Sequence, residues 1–145
     1  MRIVIISGFF NPLHGGHLDM IEAAAELGDR LVVIVNNDKQ QIVKKGKIIL
    51  SQENRLRLLS SLRVVDEALI AIDKDQTVIE TLELIAQKYP DDSLIFANGG
   101  DRDSAKVVPE TDICNQYNIE MLFGIGGTEK ADSSTRINQA LGHSK

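Results

Sequence analysis

A parallel α/β sheet wound on both faces is the fold class this sequence predicts, and three observations predict it. Short apolar runs alternate with longer helical patterns, turns rich in glycine and small polar residues follow the runs, and 145 residues suit one core. Arg2 to Gly8 opens the series as an almost unbroken apolar run, the pattern of a buried strand. Gly15 to Leu27 carries apolar residues at helical spacing, and Gly28 reads as a left-handed stop for that helix. Leu31 to Asn36 is the second strand, and Gln52 to Leu62 the second helix. Glu67 to Ile72 is the third strand; Val78 to Tyr89 follows as a helix, with Thr77 and Glu80 fitting a capping box and Pro90-Asp91-Asp92 ending it. Leu94 to Ala97 and Glu120 to Phe123 complete five strands, with helices at Glu110 to Tyr117 and Ser134 to Leu141. The expectation is a single-domain, Rossmann-like, doubly wound sheet over residues 1–145, with helices on both faces.

Composition narrows the function. With 16 basic and 21 acidic side chains the formal charge is −5, which disfavours a general grip on nucleic acid or anionic membrane. Any phosphate-bearing ligand must be held locally. The longest apolar runs, Ile3 to Ile6 and Leu31 to Val35, are too short to cross a bilayer, and the first strand starts at once, so a cytoplasmic location is expected. The single cysteine, Cys114, permits no internal disulfide and reads as a packing residue. His14, His17, Cys114 and His143 show none of the paired spacings of a zinc site, so no protein-held metal is expected.

In a doubly wound sheet, ligands collect beyond the carboxyl ends of the strands, where strand order reverses. Four turns fall there: Ser7 to His17, Asn36-Asn37-Asp38, Asn98 to Arg102, and Gly124-Ile125-Gly126-Gly127. The first puts two imidazoles three residues apart at a helix start, where unpaired N–H groups and the macrodipole favour anions. Gly15 and Gly16 leave room for close approach. Gly124 to Lys130 lacks the Gly-Lys-Ser/Thr spacing of a phosphate loop, and no Gly-x-Gly-x-x-Gly follows the first strand, which disfavours nicotinamide or flavin redox chemistry.

The run Gly8-Phe9-Phe10-Asn11-Pro12-Leu13-His14-Gly15-Gly16-His17 resembles the first motif of the cytidylyltransferase-like nucleotidyltransferases, Gly-x-Phe-Asp-x-x-His-x-Gly-His. Ser133-Ser134-Thr135-Arg136-Ile137 resembles the family's late serine/threonine turn, and the likeness extends over essentially the whole chain. The members it most resembles are glycerol-3-phosphate cytidylyltransferases and heptose-1-phosphate adenylyltransferase domains.

The resemblance implies attack by a substrate phosphate on the α-phosphorus of a nucleoside triphosphate, with release of pyrophosphate and with magnesium escorting the triphosphate. It implies catalytic roles for His14, His17 and Lys47. Nucleotide contacts would come from Gly8, Phe9, Phe10, Gly16, Asn98, Gly99, Asp101, Ser133, Ser134 and Thr135. Acceptor contacts would come from Asn36, Asp38, Lys44 and Arg55, with Lys44 to Lys47 forming a loop over the phosphates. Lys44, Lys45 or Lys47 could meet either the triphosphate or the acceptor phosphate; Arg102 and Lys130 could add charge, while Arg57 and Arg63 read as a solvated helix face. The Lys44 segment leans towards the cytidylyl branch and Asn98 to Asp101 towards the adenylyl branch; CTP is placed ahead of ATP, with a small phosphorylated polyol or sugar as acceptor and a possible homodimer. The alternative is a nucleotide-binding sensor without turnover.

Three departures from the family pattern bear on substrate. Phe9 stands where Thr is frequent, Asn11 where Asp is usual, and Gly127-Thr128-Glu129-Lys130 lacks the arginine of the glycerol-phosphate enzymes.

Overall fold

The computed structural model describes residues 1–11, 13–99 and 108–125, apart from the side chain of Lys45. The helix expected from Ser134 to Leu141 lies outside them. The described elements run β1 (Arg2–Gly8), α1 (Gly15–Ala25), β2 (Arg30–Val35), α2 (Asp38–Lys45), α3 (Gln52–Ser60), β3 (Glu67–Ile70), α4 (Ile79–Lys88), β4 (Ser93–Gly99), α5 (Thr111–Gln116) and β5 (Glu120–Ile125). All strand pairs are parallel, in the order β3-β2-β1-β4-β5. The chain walks outward from β1 to β3, then returns to place β4 on the other side of β1. The switch point therefore lies between the carboxyl ends of β1 and β4, beside Gly8 and Gly99.

Alternation along β1 divides the core. Ile3 and Ile5 join Val32, Ile34, Leu94 and Phe96 on one face, where Leu82 and Ile85 of α4 and Ile113 and Cys114 of α5 cover them. Val4 and Ile6 face the other way with Val33, Val35 and Ile95, under Ile21 and Ala24 of α1 and Leu59 of α3. The doubly wound single domain expected from the sequence is thus the one observed. Each fully buried Ile, Val or Leu contributes roughly 1.5–3 kcal/mol of transfer free energy.

Four local features differ from expectation. A helix, α2, occupies Asp38–Lys45, where the sequence reading put a loop ending in lysines. It has no apolar stripe to announce it, and Ile42 and Val43 are exposed. Its ends carry the signal instead: Asn37 and Gln40 form a reciprocal capping box, and Gly46 closes it at φ 76.

The Thr77–Glu80 box does not form at α4. Asp73, 3% exposed, supplies the cap, its carboxylate accepting from the amides of Glu80 at 2.7 Å and Thr81 at 3.2 Å. Gly28 is not left-handed; a Cβ there would sit 2.6 Å from the Arg2 carbonyl oxygen, so it serves close packing of the α1–β2 turn against β1. Gly124 and Ile125 belong to β5 rather than to the turn after it.

Candidate active site

The chain leaves β1 through Gly8, and its next two residues are both placed by unusual means. Phe10 adopts φ 52, a left-handed conformation that costs a bulky residue on the order of 1–3 kcal/mol. Its ring folds back over Gly8, where a Cβ would meet the ring at 2.8 Å, and is buried in the core beneath α1. Gly8 thus admits Phe10, and Phe10 seats His17: the two rings meet edge-on with centroids 5.0 Å apart.

His14 is the N-cap of α1, and it forms a capping box with His17. The Gly16 amide donates to His14 Nδ1 at 3.0 Å, and the His14 amide donates to His17 Nδ1 at 3.3 Å. The rings stack with centroids 3.8 Å apart. Because both Nδ1 atoms accept backbone protons, each neutral ring must carry its own proton on Nε2. The cap therefore selects a tautomer. It also uses the Gly16 amide internally, and the Phe10 ring packs in the core.

The basic and polar residues expected on the acceptor side are largely spent on structure. Arg55 is 0% exposed. Its Nη1 donates to the carbonyls of Phe9 at 2.7 Å and Asn36 at 2.6 Å, its Nε to that of Leu50 at 3.0 Å, and its Nη2 to Asp38 Oδ1 at 2.7 Å. One guanidinium fork thus joins the ends of β1 and β2 to the segment before α3, a use that needs arginine's geometry. The acceptor contact read for Arg55 is corrected: it positions the turns. Asp38 is its ion partner, and Asn36, 3% exposed, donates from Nδ2 to Gln40.

Asn11 shows what its amide can still do. Its Oδ1 accepts from the amides of Ile49 at 3.0 Å and Leu50 at 2.8 Å, while its buried Nδ2 has no partner among the described residues. It pins the segment carrying Lys47, which is half-buried. Lys44, in the last turn of α2, holds its Nζ 4.3 Å from the centroid of the half-buried Phe9 ring. Neither the Asn11 tie nor the Lys44–Phe9 contact was foreseen; the two departures from the family motif were the signal that could have found them.

At β4, Asn98 donates to the carbonyls of Phe96 and Leu122, so that side chain ties β4 to β5, where the ladder shifts register between Ala97 and Gly99. Pro12, Asp101, Arg102, Lys130, Ser133, Ser134, Thr135 and His143 lie outside the described residues. Arg57 and Arg63 are exposed, as expected. Cys114 is buried, and burial together with nearby Glu110 pushes its thiol up to about 12, the condition of an inert core residue. Among the described residues no group of three or more His, Cys, Asp or Glu side chains could hold a metal ion, and no helix is long and apolar enough to cross a membrane.

A parallel sheet with this strand order, and a histidine-capped helix opening at its switch point, defines a doubly wound α/β protein of the nucleotide-binding kind. The model of the cytidylyltransferase-like family matches residues 5–139, and the chain belongs to that family of nucleotidyltransferases. It is 34% identical over 142 residues to the bifunctional protein HldE of Gluconobacter oxydans, covering 97% of this chain and 27% of that one. It is 35% identical over 101 residues to an FAD synthase of Pyrococcus horikoshii, covering 69% of this chain and 64% of that one. Across such curated relatives the chain spans between 19% and 64% of their length. The crystal structure of a lipopolysaccharide core biosynthesis protein from Thermoplasma volcanium superimposes with a TM-score of 0.67 at 28% identity, covering 91% of this chain and 99% of that one.

Proposed function

We propose that the chain is an adenylyltransferase that moves AMP from ATP to a small phosphorylated acceptor and releases pyrophosphate. The stacked His14–His17 pair carries this reading, because its two Nδ1 atoms are committed to backbone and each Nε2 is left as the proton-bearing nitrogen. An oxygen of the acceptor phosphate attacks the α-phosphorus in line; the bond from that phosphorus to the bridging oxygen breaks, and pyrophosphate departs. The nucleophile is already anionic, so the protein's work is alignment and stabilisation of the negative charge that grows on the α-phosphate and leaving group. Directed N–H donors on a rigid helix start suit that task. Lys47 and Lys44 add cations, and magnesium enters as part of the triphosphate substrate.

AMP replaces CMP as the group transferred. The leaning towards CTP rested on Lys44 to Lys47 as a loop over the phosphates, whereas Lys44 ends a helix. Relatives 35–40% identical are FAD synthases, and FAD is FMN bearing an adenylyl group. Asp101, Ser133, Ser134 and Thr135 keep the nucleotide contacts the resemblance gives them.

The test is pyrophosphate release from ATP and CTP against FMN, sugar phosphates, polyol phosphates and phosphopantetheine, with magnesium present. Turnover with ATP and one class of acceptor is expected. Turnover with CTP alone would reverse the choice of base, and nucleotide binding without pyrophosphate across the panel would favour the non-catalytic sensor.

A further inference from the structure

We propose that Ile72 sets acceptor specificity: its side chain receives an apolar or aromatic group that the acceptor carries at a distance from its phosphate. The inference rests on the phosphoryl-acceptor reading above and deepens it. Three strands end at one level, since Gly8 of β1 pairs with Val35 of β2, and Val35 with Ile70 of β3. The ladder runs one step further, with the Asn36 amide donating to the Gly8 carbonyl at 2.9 Å and the Ala71 amide to the Val35 carbonyl at 2.8 Å. Neighbouring strands lie about 4.8 Å apart, so the end of β3 stands about 10 Å from that of β1. In that reading the nucleotide takes the β4 side of the switch point. An acceptor with its phosphate at the histidine pair then carries its other end over β2 towards β3.

Over β2 it meets side chains that are already engaged. Asn36 donates to Gln40, Asn37 to the carbonyls of Ala71 and Asp73, and Asp38 pairs with Arg55. Beyond β3, Ala71 and Asp73 are buried, and Ile72 between them is 54% exposed. A solitary exposed isoleucine is ordinary on a protein surface. This one differs in how it is held. Asn37 Nδ2 donates to the carbonyl on either side of it, at 2.9 Å in both cases. Its own amide donates to Thr81 Oγ1 at 3.0 Å, and that hydroxyl donates in turn to the buried carboxylate of Asp73. The starts of two helices, α2 and α4, thus fix the main chain of a residue whose side chain faces solvent. Little of the gain from covering that side chain is offset by ordering of the loop.

The ligand that fits is a phosphate monoester with an apolar or aromatic body set a short chain away from the phosphate. A small sugar or polyol phosphate would bring hydroxyls to Ile72, and hydroxyls lose water against methyl groups without gaining a partner. Such an acceptor would turn instead to the exposed Lys74 and Gln76 of the same loop.

The test is titration of FMN, whose ring system lies a ribityl chain away from its phosphate, into the protein saturated with magnesium and α,β-methylene-ATP, followed by flavin fluorescence. Ribose 5-phosphate, followed by calorimetry, is the hydroxylated comparison. FMN should bind at least about tenfold more tightly, the scale for covering one or two apolar carbons. Ile72→Ser should weaken FMN by about fivefold to tenfold on the same scale, and Ile72→Val should keep most of the affinity. Neither should move ribose 5-phosphate. Because the side chain is exposed, melting should shift no more than for a surface substitution, and affinity for the ATP analogue should stay within about twofold.

Equal or tighter binding of ribose 5-phosphate, unchanged FMN affinity in Ile72→Ser, or an equal loss for the ATP analogue would each overturn the inference. Failure of the transferase reading is seen separately: no pyrophosphate formation with ATP and FMN, while the binding pattern holds, overturns that reading and leaves Ile72 in a binding site without turnover.

Discussion

The turns after β1 and β2 are built on one plan and end in different uses. Each leads from a parallel strand at the same edge of the sheet into a helix, and each closes that helix with a reciprocal capping box, His14 with His17 in the first and Asn37 with Gln40 in the second. In the second turn, the two capping side chains are spent inside the protein. Asn37 Nδ2 donates to the carbonyls of Ala71 and Asp73, and Gln40 Nε2 to those of Asp75 and Thr77. In the first, imidazoles do the capping, and an imidazole that caps through Nδ1 keeps its proton on a second nitrogen across the ring. Capping by an amide makes a scaffold; capping by a histidine makes a scaffold that also fixes a donor. The chemistry at the switch point follows from that difference in side chain, not from a difference in backbone.

The comparison can be broken in several places. The largest effect is expected in the first turn, where His17→Ala should lower pyrophosphate formation by about two to three orders of magnitude, the scale for losing one directed donor to transition-state charge. The same change should cost only about 1 kcal/mol of stability, as for a lost cap. Steady-state rates and urea melts on one preparation separate the two numbers.

Next comes the clamp beneath both turns. Arg55→Met leaves three carbonyls and the Asp38 carboxylate without their shared donor, and should destabilise the fold by about 3–5 kcal/mol. Arg55→Lys should not recover it, since an ammonium cannot reproduce the fork. In the second turn, Gln40→Ala strands the Asn37 amide and Asn36 Nδ2, and should cost about 1–3 kcal/mol. A melt that moved no further than a surface substitution would contradict the scaffold role.

The smallest effect lies at the opposite end of the sheet and serves as a control. Burial opposes ionisation of Glu67, but Lys88, Tyr89 and Arg30 outweigh it and hold the carboxyl below its usual value. Stability from this cluster is therefore present above the ordinary carboxylate range and lost as pH falls through the lower folded value. Glu67→Gln should flatten a small part of the acid limb of stability and leave transfer chemistry untouched. Cys114 gives the alkaline counterpart. Its raised value favours the folded state below the ordinary thiol range, a contribution lost as pH rises towards about 12, and the native thiol should resist alkylation.

Legibility in the sequence followed the range of the interactions. β1 was read over Arg2–Gly8, as found, because an apolar run between turn residues is a local signal. The histidine-bearing start of α1 was equally local, down to Gly15 as its first residue. The helix α2 was missed because its evidence sits only in its caps, and its exposed Ile42 and Val43 follow no amphipathic stripe. The role of Arg55 was not readable at all. Its carbonyl partners on Phe9 and Asn36 are 46 and 19 residues away, and in sequence a buried arginine looks like any other charge on a polar helix. The structural partners of Asn36 and Asp38 were hidden for the same reason: Arg55, 17 residues beyond Asp38, meets it only when the chain is folded.

The most direct measurement converts one turn into the other. The double variant His14→Asn, His17→Gln gives the first turn the Asn–Gln capping pair of the second, keeping an acceptor for each backbone amide and removing both imidazole donors. Melting should stay within a few degrees of the unaltered protein, while pyrophosphate release from ATP should fall below detection. Retained turnover in that folded double variant would contradict the account, since the histidines would then be caps and nothing more.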